Sequence, residues 1–351
     1  MSLGRVEWAA IYARPMEIRS VDAADPDQLA AFHATYLAAS VFGRAYPTPW
    51  KLEEMRADLL GERPGERVQA FAGYDGDQVV TTGALALPLK DNLSLAGFEL
   101  FTHPDHRRRG HGSAMLDHLT GLAGQADRTT MMTHVSLPYE GPVDGHGHPD
   151  AEFAYRRGFT FSLGDVMRVL DIPVDAAVLD RLAEEARPHH AGYALRQFRG
   201  PVPEDIVEAY GALAGSLMTE APMGELQLEN AVLDEERIRA DEAILAASGR
   251  TRYTTVAVAE DGTVAAYSEI MVPSHERGRT YQWGTLVAKE HRGHRLGMAT
   301  KVANLAWLQR EEPDRTAVVT FNAEVNAHMV GVNEAMGFRP VERLGEFMRV
   351  L

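Results

Sequence analysis

The chain has no cysteine among its 351 residues. Disulfides, thiolate metal sites and a cysteine nucleophile are therefore excluded, and a cytoplasmic setting is expected. Long apolar runs are missing as well, so no membrane-spanning helix is expected. The opening MSLGRVEW has neither an apolar core nor a cleavage site, and no secretory signal is expected from it. Lysine is scarce, at Lys51, Lys90, Lys289 and Lys301 only. Positive charge is in deficit overall: 35 basic against 50 acidic residues leave −15. Such a surface repels phosphate backbones, so no nucleic-acid partner is expected, whereas a cationic small molecule such as an amine would be attracted. What is present is an ordinary globular composition, 45% hydrophobic and 24% charged, at a length that implies two domains.

The sequence repeats itself once. Residues 163–170, LGDVMRVL, match residues 344–351, LGEFMRVL, at six of eight positions and a spacing of 181. Gly158-Phe159 precedes the first copy and Gly337-Phe338 the second. Upstream, HRRRGHG at 106–112 parallels HRGHRLG at 291–297, and the turn Asp75-Gly76 parallels Asp261-Gly262. Signals kept in one order at near-constant offset indicate a duplicated domain. The expected division is 14–172, a linker at 173–190, and 191–351. Each copy reads as β-α-α-β-β-β-α-β-α-β-β, with helices at about 26–41, 51–61, 203–217 and 233–248, and a hairpin at each Asp-Gly turn. The fold class expected is α/β (α+β): two mixed, mostly antiparallel sheets, each flanked by helices.

A strand that enters a helix through a Gly-rich loop leaves the first helical amides unpaired, and the helix dipole adds positive character there. Phosphate oxygens suit such a site. In this setting the Arg-x-x-Gly-x-Gly segment, the amphipathic helix after it, and a later helix ending in Gly-Phe resemble the GNAT superfamily of acyl-CoA-dependent N-acetyltransferases. The resemblance covers both copies. It implies acetyl-CoA as co-substrate, with the pyrophosphate on the loop and the pantetheine arm along the preceding strand. The positions implied are Leu100, Thr102, Arg107, Arg108, Arg109, Gly110, His111 and Gly112 in the first copy. In the second they are Thr285, Val287, Arg292, Gly293, His294, Arg295, Leu296 and Gly297, with Arg295 standing where the family has a glycine. Asn326 matches the asparagine that opens the family's last helix and reaches the cofactor. Asn333 stands where the family often has a tyrosine acid. An amide can donate a hydrogen bond to sulfur but supplies no proton, so the proton would come from water or from the amine.

Acetyl transfer to an amine also needs a base. Glu269, in an otherwise apolar strand of the second copy, is the leading candidate, followed by Glu324 and His328; Glu99 holds a comparable place in the first copy. The acids Glu220, Glu225, Glu229, Asp234, Glu235, Glu236, Asp241 and Glu242 read either as a cradle for a polyamine or aminoglycoside-like cation or as a solvated helix face. In the first copy the family asparagine is absent, Ala154 stands at the tyrosine position and Tyr155 is one residue off. The run Asp144, His146, His148, Asp150 is rich in Gly and Pro and reads as a mobile surface loop, and no metal is expected. The reading is an N-acetyltransferase acting on a small-molecule amine, as monomer or homodimer, with chemistry in the C-terminal copy. The alternatives are a non-catalytic acyl-CoA-binding regulatory protein and an acetyltransferase like the one that completes mycothiol synthesis.

Overall fold

The computed structural model describes residues 16–220 and 228–351. The first half runs β1 (Glu17–Ser20), α1 (Pro26–Val41), α2 (Leu52–Leu60), β2 (Glu66–Asp75), β3 (Gln78–Pro88), β4 (Leu95–Thr102), α3 (His111–Gln125), β5 (Thr130–Pro138), α4 (Pro149–Arg156) and β6 (Thr160–Asp171). After α5 (Ala176–Ala186) the second half repeats the plan: β7 (Tyr193–Arg199), α6 (Val207–Gly215), α7 (Leu217–Glu220), α8 (Glu235–Ala247), β8 (Arg250–Ala259), β9 (Val264–Pro273), β10 (Arg279–Val287), α9 (Leu296–Glu311), β11 (Ala317–Ala323), α10 (Ala327–Met336) and β12 (Arg339–Val350). Sequence cues account for many boundaries. Asp25 caps α1, with Pro26 as the first helical residue; Asp234 caps α8; Gly337, at φ 96°, ends α10.

All twelve strands form one sheet, in the order β1-β2-β3-β4-β5-β12-β6-β11-β10-β9-β8-β7. The halves exchange their last strands: β12 pairs antiparallel with β5, and β6 pairs antiparallel with β11. At the centre β6 and β12 pair with each other, with Gly164 opposite Gly345. The two octapeptides that betray the duplication therefore meet at their first residues, 163–165 against 344–346, and run apart from there about an approximate two-fold axis. Each half ends in one long strand rather than the two closing strands expected from sequence. Shifts of register at Pro340/Glu342 and Glu346/Phe347 absorb the irregularity that made the segment look divided.

Helices pack on both faces. Met115 and Leu119 of the expected α3 stripe are fully buried with Phe71, Leu85 and Met131, and Phe347 joins that cluster from β12. The segment 173–190 carries α5, whose Leu179 and Leu182 pack with Val302, Leu305 and Leu308 of α9. Ion pairs also join the halves. Glu54, almost fully buried, meets Arg250 at 2.6 Å and His275 at 3.1 Å, and Asp91 meets Arg237 at 3.0 Å.

Candidate active site

Strands β4 and β5 run parallel but are hydrogen-bonded only from Leu95/Thr130 to Gly97/Met132. Beyond Gly97 they part, while β4 stays paired with β3 as far as Thr102. The amides of β4 that face β5 are thereby released. The chain then turns through the 107–112 loop, with Arg108 at φ 65° and Gly110 at φ 91°, into α3. No side chain caps α3, so its first N–H groups point into the opening. A Cβ on Gly112 would stand 3.2 Å from Thr102 Oγ1 and 3.5 Å from Leu100, so glycine keeps the gap between strand and helix tip free. Arg107 is held over the Phe42 ring, 3.7 Å from Asp150, and its Nε donates to the Thr102 carbonyl.

Two cavities meet here. The larger, about 1140 Å³, contains Leu100, Thr102, Arg107, Arg108, Gly110, His111 and Gly112 in its wall; Arg109 alone of the implied first-copy residues is outside it. The smaller, about 400 Å³, lies under α1 and α2 against the sheet and shares Tyr36, Trp50, Glu99, Phe101 and His134 with the first. Trp50 is pinned over this junction, its N–H donating to the Tyr36 hydroxyl at 2.9 Å and its carbonyl 2.9 Å from His33 Nε2. Glu99 and His134 come within 3.8 Å of each other where the strands part, each about half exposed. Glu346 of β12 sits opposite His134 in the ladder and lines the smaller cavity. Burial, helped by nearby Asp165, pushes its carboxyl up to about 7. His134 and Glu346 were not singled out from sequence. The one available signal was alternation: His134 shares a face with Met132 in β5, but its partner lies 212 residues away across an exchanged strand.

In the second half β10 and β11 likewise part beyond Gln282/Thr320 and no side chain caps α9; what differs is the side chains beside the gap. By sheet register Thr82, Ala84 and Val68 of the first half correspond to Tyr267, Glu269 and Arg252. These three larger side chains are all buried and pack together. Tyr210 donates to Glu269 Oε1 at 2.5 Å, Arg252 stands 3.4 Å from Glu269, and Arg252 reaches Glu242 at 2.6 Å. Burial raises the Glu269 carboxyl, opposed by Arg252. Glu269 is thus a sealed member of an ion-pair network rather than a cleft-facing base. It is not the counterpart of Glu99 either: that position falls on Gly284, where a Cβ would collide with the Tyr267 hydroxyl at 2.5 Å.

The second loop is clasped by protein. Arg292 binds Glu220 at 2.6 Å, His294 Nδ1 lies 3.0 Å from the His189 carbonyl, and Arg295 donates to the Glu185 carbonyl at 3.2 Å. Gly293 and Arg295 take φ of 89° and 51°, and Leu296 is buried. Gly297 lies with its Cβ position 3.5 Å from Val287, and Thr285 is hydrogen-bonded to Gln282 and Ser268. Asn326 does cap α10, accepting from the Met329 N–H at 3.1 Å. Glu324 pairs with Arg343 at 3.1 Å, and His328 is exposed. The acids expected as a possible cation cradle are largely engaged: Asp234 and Glu236 with Lys90, Glu235 and Glu242 with Arg239, Glu229 with Asn92. Glu225 lies outside the described residues.

Asn333 is fully buried and accepts from Lys301 Nζ at 2.8 Å, and its amide donates to Asn322, which also receives Arg168. It therefore satisfies a buried polar network and does not line either described cavity. Burial pushes the Lys301 ammonium down to about 7 from 10.5. Between those values the unfolded chain holds a proton that the folded chain lacks, so stability rises with pH across the window, by about 1.4 kcal/mol per unit at most. Urea unfolding from pH 7 to 10 is expected to show this slope in the wild type and to lose it in Lys301→Met.

In the first copy, the Asp144–Asp150 loop is held against α4. The Tyr155 hydroxyl donates to the Asp144 carbonyl at 2.9 Å, and its ring stacks on His146. Ala154 is buried, and neither residue takes the place of the family's acid. Beside the 107–112 loop, Asp75, His106 and His111 bring ligand-type atoms within 4.8 Å of one another, across a sequence separation that leaves no local pattern.

Among the described residues, no helix is long and apolar enough to cross a membrane. The model of the acetyltransferase (GNAT) family matches residues 36–141, from α1 through β5. A tandem GNAT protein from the clavulanic acid biosynthesis pathway is 27% identical and aligns over 95% of this chain and 98% of its own, with a TM-score of 0.75. A GCN5-related N-acetyltransferase from Sphaerobacter thermophilus, 12% identical, covers 95% of each chain at a TM-score of 0.61. N-myristoyltransferase of Saccharomyces cerevisiae, also 12% identical, aligns with 96% of this chain and 79% of its own at 0.58, a likeness of fold. Comparison with curated proteins gives no match. The first half thus matches the GNAT acetyltransferase family over residues 36–141, and the chain is similar over nearly its whole length to a two-copy GNAT protein.

Proposed function

We propose that the protein moves an acetyl group from acetyl-CoA to the nitrogen of a small-molecule amine, and that the first half holds the reaction. One observation carries this reading. A continuous opening runs from the uncapped tip of α3, past the parted β4 and β5, to the cavity mouth where Glu99 and His134 lie 3.8 Å apart. The second half, with its clasped loop and its sealed Glu269, serves as scaffold and lends β12 to the first.

The α3 amides and Arg107 and Arg108 take the pyrophosphate, and the freed edge of β4 around Leu100 and Thr102 takes the pantetheine arm. The acceptor amine gives a proton to His134, whose imidazolium Glu99 steadies. The neutral nitrogen attacks the thioester carbon, and β4 amides without a β5 partner stabilise the developing oxyanion. The new C–N bond forms as the C–S bond breaks. His134 passes the first proton to water, takes the second from the nitrogen as the intermediate collapses, and hands it to the departing thiolate, so the base is restored and one proton is released to solvent.

Thiol release with a panel of amines tests this. Gly112→Val, which fills the gap beside Leu100 and Thr102, is expected to cut release about a hundredfold by displacing the donor. Gly297→Val is expected to leave it nearly unchanged. A reversed pattern would move the reaction to the second half. Tight acetyl-CoA binding without release from any amine would replace the enzyme reading with the non-catalytic acyl-CoA-binding one.

A further inference from the structure

The smaller cavity is walled by Phe32, Tyr36, Trp50, Met55, Leu59 and Phe98. Its polar content is sparse and specific. Thr82 Oγ1 and Glu346 Oε2 are buried there without a hydrogen-bond partner. Glu99 and His134 stand at the mouth. Asp58 and Glu66 also line it, but both are paired with Arg63, the one basic side chain in the wall besides His134. A ligand carrying phosphate or carboxylate would meet only acids and an arginine already in use. A ligand with many amines or hydroxyls would leave most of them unpaired against aromatic and aliphatic walls, which is costly for each group. A single ammonium group on an apolar body meets neither objection.

We infer that this cavity takes the acceptor, a primary amine on a compact apolar or aromatic body, with the ammonium directed to Glu346, Glu99 and the Thr82 hydroxyl. The second half contributes directly: Glu346 comes from β12, so the first half's binding site is incomplete without the last strand of the other copy. The corresponding space in the second half is occupied by Tyr267, Glu269 and Arg252, which explains why only the first half would select such a ligand. The inference rests on the proposed transfer reaction for what happens to the amine, but its binding can be read without the reaction.

Calorimetry on the full chain without acetyl-CoA provides that reading. 2-Phenylethylamine and tryptamine are expected to bind at least tenfold more tightly than spermidine, kanamycin or 3-phenylpropionate. Glu346→Gln is expected to weaken the arylalkylamines at least tenfold, and Ala84→Leu, which fills the cavity with hydrocarbon, to abolish their binding. Both variants should keep the wild-type melting temperature within a few degrees and bind acetyl-CoA as the wild type does. Equal or tighter binding of spermidine or kanamycin overturns the inference, as does failure of every arylalkylamine or indifference to both substitutions. Selective amine binding without thiol release would sink the transfer reading and leave this one standing.

Discussion

His134→Ala is expected to lower kcat/KM for thiol release by about 10²–10⁴, or roughly 3–5 kcal/mol of transition-state stabilisation, with acetyl-CoA affinity unchanged. Glu99→Gln should fall in the same range, and the double variant should be little worse than either alone, because the two side chains act as one unit. The geometry requires this coupling: the groups are 3.8 Å apart at the point where β4 and β5 separate. Glu269→Gln provides the contrast. It should leave kcat nearly intact while lowering the unfolding midpoint, because it disturbs a buried network with Arg252 and Tyr210 rather than a reacting group. If Glu269→Gln removes turnover and His134→Ala does not, the reaction has been assigned to the wrong half.

Deleting β12 is expected to unfold the whole molecule, not only its second half. The strand fills the space between β5 and β6, pairs with both along most of its length, and carries Phe347 into the first half's core. Its loss would expose two strand edges and a hydrophobic face together, more than the roughly 5–15 kcal/mol that holds a typical domain folded. Phe347→Ala is the milder test, with an expected loss of about 3–5 kcal/mol in chemical denaturation. The copies 14–172 and 191–351 are proposed as units of duplication that fold only together. Separately produced, each should be insoluble or molten; co-produced, they should reassemble. A monomeric first fragment with a sharp thermal transition would refute the exchanged-strand arrangement.

Much of this architecture could be read from residues alone. The octapeptide repeat, the Arg/Gly loops, the helices at 26–41 and about 51–61, and the stripe through Met115 and Leu119 are local signals, and local physics decides them: capping, periodicity and turn chemistry. The asparagine motif at Asn326 was legible for the same reason, as a helix cap. The reasons for proposing the first half rather than the second do not lie in the motifs. The second copy carries the fuller motif, yet its Arg292, His294 and Arg295 are taken up by residues 105 or more positions away or, for Glu220, by a helix whose packing no pattern reports. Glu269 looked like a base because a carboxylate in an apolar strand has to be either functional or paired, and Arg252 pairs it only once β8 and β9 lie side by side.

By itself, then, the sequence determined the duplication, the order of elements and the glycine-lined helix tips, because each depends on neighbours a few residues apart. The tertiary structure adds the cavity beside the parted β4 and β5 and places a carboxylate from the final strand in its wall. Those outcomes depend on side-chain volumes meeting across the sheet, Thr82 and Ala84 leaving a cavity where Tyr267 and Glu269 fill one, and on an exchange of strands that brings Glu346 to His134. Volume and pairing between distant segments leave no period in the chain to be read.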